Sequence, residues 1–222
     1  MIQAVAFDLD DTLAVTSRDR ETLLSDATAR AGVDEGIDRE SYLEAHREHS
    51  GAESRRPVFE ALVDERAAAS DLTRAYREAV SDAMEPVDGA EGVLAALGGQ
   101  YSLGLLTDGP ERTQRDKLDR LGWTDAFDVV VVTGGIDAPK PEPGSFVALA
   151  DALDVPPSAI VYVGDNPDRD VAGAATAGMT PVQVVYDGGP AAHPLAARTV
   201  PRSELASLPG VIEGLADGSD DP

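Results

Sequence analysis

The chain has 222 residues, 42% of them apolar, enough to bury a core, and its 41 acidic against 18 basic residues give a formal net charge of −23. That charge repels a phosphate backbone, which argues against a nucleic-acid partner, and no stretch approaches the roughly 20 apolar residues of a membrane helix. Cysteine is absent, so disulfides and thiolate metal sites are excluded, and a reducing cytoplasm is the simplest compartment.

In chain order, Ala4 to Leu9 is an apolar run that ends in Asp8, Asp10 and Asp11, the pattern of a buried parallel strand whose C-terminal end carries carboxylates. It lacks the charged start and cleavage site of a signal peptide. From Ser17 to Glu85 the pattern is helical with no convincing strand. Leu23, Leu24, Ala27 and Ala31 share one face, and so do Leu72, Ala75, Tyr76, Ala79, Val80 and Ala83. Pro57 suits the first turn of a further helix. After Pro86, helix and strand alternate. Asp88 and Glu91 have the spacing of a capping box, and Gly98 and Gly99 close that helix. Ser102 to Thr107 is the next strand, and Pro110 opens a helix ending at Gly122. Phe127 to Val132, Ile160 to Val163 and Pro181 to Val185 are further strands, with helices at Ser145 to Leu153 and Asp168 to Ala177 between them.

This alternation predicts an α/β fold: a Rossmann-like, doubly wound parallel sheet over residues 1–14 and 87–216, an inserted α-helical cap over 15–86, and a flexible tail at 217–222. In such sheets ligands bind beyond the carboxyl ends of the strands. Four places there draw notice: Asp8-Leu9-Asp10-Asp11-Thr12, Thr107-Asp108-Gly109, Lys140-Pro141-Glu142-Pro143, and Gly164-Asp165 with Asp170. In so acidic a chain, two aspartates two apart are common on solvated turns. A buried strand tip, however, is a poor place for unneeded charge. Lys140 stands out because Lys117 is the only other lysine, arginine supplying the remaining basic side chains. Lys117 itself reads as ordinary surface.

Together these segments resemble the haloacid dehalogenase superfamily of phosphohydrolases, whose four motifs occur in this order, with a helical cap between the first and second. The resemblance implies a magnesium-dependent phosphatase in which Asp8 is the nucleophile and Asp10 the general acid and base. Thr107 and Lys140 would hold the phosphoryl oxygens. The metal ligands would be Asp8, the Asp10 carbonyl and Asp165, with Asp170 in support. Relatives usually carry asparagine where this chain has Asp108, so its side chain is expected to turn away and its backbone N–H to contact substrate. A cation also answers the electrostatics, because four converging carboxylates repel one another unless protonated or bound to one.

Dehalogenation fits poorly, because dehalogenases lack the aspartate found at position 10. Phosphonate cleavage needs a cap lysine, and residues 14–86 contain none. A phosphomutase of the same superfamily, a receiver-like signalling domain and a catalytically silent binder of a phosphorylated ligand remain as alternatives. A receiver has neither the acidic motif after the lysine nor the long cap. The substrate is expected to be a small phosphorylated metabolite, with Arg55, Arg56, His46 and His49 as possible cap contacts, and the protein a monomer or small homo-oligomer. Self-repulsion at −23 opposes the compact state unless dissolved ions screen it, which points to a salt-rich cytoplasm.

Overall fold

The computed structural model describes residues 1–33, 36–49, 54–136 and 138–217. Its strands are β1 (Ala4–Phe7), β2 (Ala14–Thr16), β3 (Met84–Pro86), β4 (Ser102–Thr107), β5 (Val129–Val132), β6 (Ile160–Gly164), β7 (Thr180–Val185) and β8 (Arg198–Pro201). Its α-helices are α1 (Arg20–Ala31), α2 (Arg39–Glu48), α3 (Arg56–Glu60), α4 (Arg66–Asp82), α5 (Ala90–Gly98), α6 (Glu111–Leu121), α7 (Pro143–Leu153), α8 (Gly173–Thr176) and α9 (Leu208–Asp217). The chain divides into two compact units, one of residues 1–15, 86–108 and 122–222, the other of 16–85 and 109–121. No helix among the described residues is long and apolar enough to cross a membrane.

The first unit is built on a six-stranded sheet in the order β5-β4-β1-β6-β7-β8, in which neighbours run parallel. Every residue of β1 is buried, as expected of a central strand covered on both faces, and this is why its sequence is apolar without alternation. Phe7 lies beside Leu105 of β4 and Val163 of β6, so the chain order switches direction at β1 and leaves a crevice beyond its carboxyl end. On one face, Phe146, Leu149 and Ala150 of α7 pack with Ala4, Ala6, Leu106, Ile160 and Tyr162.

Several sequence boundaries shift for local reasons. β1 stops at Phe7 because the Leu9 carbonyl turns to accept from Leu13 N and Ala14 N, both at 3.0 Å. β5 begins at Val129, since the Asp128 side chain accepts from Leu103 N at 2.8 Å in place of a backbone carbonyl. The capping box does not form. Gly89 with φ 87° takes the N-cap position of α5 without a side-chain bond, which places Asp88 one residue too early. The helix expected from Asp168 is a wide π-type turn over Pro167–Ala172 followed by the short α8. The region read as strandless contains the start of β3, and β8 and α9 were not foreseen. Asp217 closes α9 instead of fraying, and the rest of the expected tail lies outside the described residues.

The second unit packs α1, α3 and α4 around Leu24, Ala27, Phe59, Leu72, Tyr76 and Ala79, with Tyr42 of α2 among them. Asp19 and Asp38 cap α1 and α2 by accepting from Thr22 N at 2.8 Å and Ser41 N at 2.9 Å. Tyr42, Phe59 and Tyr76 meet pairwise at centroid distances of 5.2–5.8 Å. Such ring pairs add about 0.5–1.5 kcal/mol each beyond their buried area. In α6, Lys117 is buried beside Gln114 and Leu118, so it is not surface. Three and four residues apart, these side chains share one helical stripe. Of the possible cap contacts, Arg55 and His46 meet, with the Arg55 Nη1 at 2.8 Å from His46 Nδ1. Arg56 pairs instead with Glu60 at 2.9 Å.

Candidate active site

Asp8 is the first residue past β1, and its N–H donates to Val163 O at 2.9 Å, which keeps it in the ladder while its side chain enters the crevice. Lys140 arrives from the segment between β5 and α7. Its buried Nζ lies 2.8 Å from Asp8 Oδ1, 2.7 Å from Asp170 Oδ1 and 3.4 Å from the Tyr162 hydroxyl. Asp170 is positioned by the turn after β6, where its Oδ2 accepts from Asn166 N at 3.0 Å. That turn is held open by Asn166, whose side chain accepts from the N–H groups of Asp168 and Arg169. Gly164 is required for this approach, because a Cβ there would sit 2.5 Å from Asp170 Cβ and Cγ.

Asp165 follows directly after Gly164. Its carboxylate Oδ2 accepts from the Tyr186 hydroxyl at 3.2 Å, and its carbonyl accepts from the Gln183 side chain at 3.1 Å. Asp8, Asp165 and Asp170 each offer a carboxylate oxygen, and the three lie within 4.8 Å of one another. Three buried carboxylates thus face one ammonium, and full ionisation leaves an excess of negative charge. Burial lifts Asp8 well above the usual carboxylate range; Lys140 opposes the rise, and Asp170 and Asp10 add to it. Burial, then Asp170 and Asp11, push Asp165 up to about 6. Burial works against the charge of Lys140, but Asp170 and Asp8 outweigh it and hold the ammonium charged. Burial raises Tyr162, which stays a phenol, its hydroxyl 3.1 Å from Leu106 O.

Magnesium, the ion expected from the sequence, fits this donor set. The available atoms are hard oxygens, and the site lacks the positive charge that would balance them. Asp170 is already committed to Lys140 and to Asn166 N, which leaves the carboxylates of Asp8 and Asp165 as the better-placed ligands.

The remaining expected residues stand at neighbouring strand ends. Thr107 closes β4, fully buried, in register with Val132 of β5. Asp10 lies two residues past Asp8, half-buried, bridged to Ala14. The Asp108 carboxylate is engaged by three donors: Thr133 Oγ1 at 2.9 Å, Lys140 N at 3.1 Å and Arg169 Nη1 at 3.2 Å. Its charge is therefore turned to the protein.

Sequence reasoning missed Tyr162, Asn166, Tyr186 and Arg169. For Tyr162 a signal existed, a polar-tipped ring in the otherwise apolar Ile160–Gly164 run. Tyr186 carried none, because its role depends on β7 lying beside β6.

Over residues 2–178 the sequence matches the haloacid dehalogenase-like hydrolase family. It is similar to a glyceraldehyde 3-phosphate phosphatase of Methanopyrus kandleri, 32% identical over 197 residues that cover 83% of this chain and 84% of the relative. A phosphoglycolate phosphatase of Chromobacterium violaceum is 30% identical over 200 residues, 83% of this chain and 86% of the relative. Among solved structures, a 2-haloacid dehalogenase from Pseudomonas syringae superposes with a TM-score of 0.74 at 26% identity, covering 99% of this chain and 100% of the other. A haloacid dehalogenase-like phosphatase from Thermococcus onnurineus gives 0.72 at 26% identity, covering 96% and 99%.

Proposed function

Since this chain belongs to the haloacid dehalogenase-like hydrolases, as a phosphatase of that family, we propose that it hydrolyses a small phosphorylated metabolite through a phosphorylated Asp8, with magnesium as cofactor. The observation that carries this reading is the buried contact of Lys140 Nζ with both Asp8 and Asp170, at 2.8 and 2.7 Å. A carboxylate oriented by a lysine at the floor of a crevice is a nucleophile held ready, and the lysine is placed to meet the incoming negative phosphoryl group.

In the proposed reaction an oxygen of Asp8 attacks phosphorus and the ester P–O bond breaks. Asp10 gives its proton to the leaving oxygen. Asp10 then takes a proton from water, which attacks the aspartyl phosphate, releases inorganic phosphate and restores Asp8. Lys140 and Thr107 hold the equatorial oxygens, assisted by the Asp108 backbone N–H. Asp8, the Asp10 carbonyl and Asp165 would hold magnesium, which would supply the charge that offsets the carboxylates and the phosphoryl group. Residues 1–14 and 87–216 form the catalytic core in this reading, although 109–121 cluster with the helical unit, and 15–86 form the cap that selects the leaving group. The absence of cysteine and the charge of −23 support a cytoplasmic, salt-rich setting without a nucleic-acid partner.

A panel of phosphorylated metabolites in molar potassium chloride, assayed with magnesium and with a chelator, tests the proposal. Chelator-sensitive phosphate release from a subset of the panel is expected. A folded protein that releases no phosphate from any member would refute it.

A further inference from the structure

Tyr186 and Arg202 lie beyond residues 2–178, the part of the chain that matches the family, yet Tyr186 reaches Asp165 and Arg202 reaches Asp11. Tyr186 follows β7, and its hydroxyl donates to Asp165 Oδ2 at 3.2 Å. Gln183, three residues earlier and buried on β7, holds the Asp165 carbonyl at 3.1 Å, so backbone and carboxylate of Asp165 are gripped from β7 and the residue that follows it. Arg202 follows β8, and its guanidinium carbon stands 3.8 Å from the Tyr186 ring centroid. The same guanidinium lies 3.6 Å from Asp11 Oδ1 and 3.4 Å from Asp11 O. Asp11 has φ 62°, a left-handed conformation that costs energy in a residue with a side chain. It sits between Asp10 and Thr12 in the loop that follows Asp8.

We propose that Tyr186 and Arg202 are positioning residues for the cation site, an inference that rests on reading Asp165 as a ligand of that cation. A carboxylate rotates about its last bond unless one oxygen is fixed. By taking Oδ2, the Tyr186 hydroxyl fixes the plane of Asp165 and leaves Oδ1 to face the ion. Arg202 acts one step further out. Its planar guanidinium stacks on the phenol ring and keeps it from swinging away, while its edge holds Asp11 and with it the turn bearing Asp10. The C-terminal strand and the turn after it thereby belong to the site, although no residue of theirs touches the proposed reacting atoms.

Calorimetric titration of magnesium into the full chain in molar potassium chloride tests this, with wild type, Asp165→Asn, Tyr186→Phe, Arg202→Gln and Arg202→Lys. Tyr186→Phe keeps the ring under Arg202 and removes only the hydroxyl. Loss of such a hydrogen bond to a metal ligand typically weakens metal affinity about 10–100-fold, so its Kd should rise about tenfold or more. Its metal-free melting temperature should match wild type, and kcat at saturating magnesium should stay close to wild type while the magnesium concentration for half-activation rises. Arg202→Gln should weaken binding as well, and Arg202→Lys, which keeps the charge beside Asp11 but loses the planar stack, should recover only part. Wild-type binding that is lost in Asp165→Asn but unchanged in Tyr186→Phe and Arg202→Gln would overturn this inference alone. A melting temperature lowered in either variant with an unchanged Kd would also overturn it, showing a purely structural role. A wild type that binds no magnesium would overturn the metal reading and this inference together.

Discussion

Lys140 Nζ lies 2.7 Å from Asp170 Oδ1, and the same ammonium reaches Asp8 at 2.8 Å. A compact ammonium on a flexible stem serves both carboxylates at once, whereas guanidinium is a wide planar fork. Lys140→Arg should therefore lower kcat/KM about a hundredfold or more, the cost of one misplaced charge contact in a preorganised site. The control is Arg120→Lys on the exposed side of α6, an exchange of cation that should leave activity unchanged. Lys117→Arg does not serve, because Lys117 is buried. Near-wild-type activity in Lys140→Arg would remove Lys140 from the mechanism.

Asp8→Asn keeps the shape of the side chain and removes the nucleophile, so turnover should fall by about a thousandfold or more with the far-ultraviolet circular dichroism unchanged. Its melting temperature in chelator should not fall. Burial raises Asp8 above its unfolded value, so its charged form opposes folding at neutral pH, and the amide removes that opposition. Activity within tenfold of wild type would exclude Asp8 as nucleophile.

The strand ends were legible because buried parallel strands read as apolar runs broken only where they leave the sheet, as at Thr107 and Gly164. Lys117 was misread although the i, i+3, i+4 spacing of Gln114, Lys117 and Leu118 on the α6 stripe was available. Arg202 and Tyr186 were not legible at all. The strand before Arg202 is Arg-Thr-Val-Pro at the sheet edge, with neither an apolar run nor alternation, and the stack exists only because β8 lies beside β7. The capping box failed for a different reason. Gly89 supplies a left-handed turn that a spacing rule does not see, and a Cβ there would meet Ala206 at 3.0 Å.

Magnesium binding should depend on pH through Asp165. Its pKa in the metal-free fold is raised from 3.8 to about 6, first by burial and then by Asp170 and Asp11. Above this value the carboxylate is charged and open to a cation; below it a proton competes. The rise in melting temperature caused by magnesium should be full near pH 7.5 and fade as pH falls through about 6, and Asp165→Asn should show little rise at either pH. A shift equally large at pH 5 and 7.5 would refute Asp165 as a ligand.

A chain of charge −23 repels itself, and dissolved ions shorten the range of that repulsion from about 10 Å at 0.1 M to about 3 Å at 1 M. The melting temperature should climb steeply between 0.1 and 2 M potassium chloride. A flat response would contradict adaptation to a salt-rich cytoplasm.

Asp108 separates two ways in which a carboxylate beside a phosphoryl site can be tolerated. Its Oδ1 accepts from Thr133 and from Lys140 N at 2.9 and 3.1 Å, while Oδ2 faces Arg169, whose side chain is 55% exposed. Asparagine at this position retains an oxygen for the first two donors and gives up the ion pair with Arg169, which at that exposure is worth about 1 kcal/mol or less. Asp108→Asn should therefore keep kcat/KM within about threefold of wild type, consistent with a carboxylate whose charge is absorbed by the protein. Asp108→Ala leaves the Lys140 N–H and the Thr133 hydroxyl without their shared acceptor and frees the segment that delivers the lysine. A lost hydrogen bond of this kind costs about 1–3 kcal/mol, so activity should drop about tenfold or more. The loss should appear in kcat, because the displaced group is the one that holds Asp8. If Asp108→Asn instead raised activity well above wild type, the carboxylate would be repelling substrate, and its three donors would not be enough to shield it.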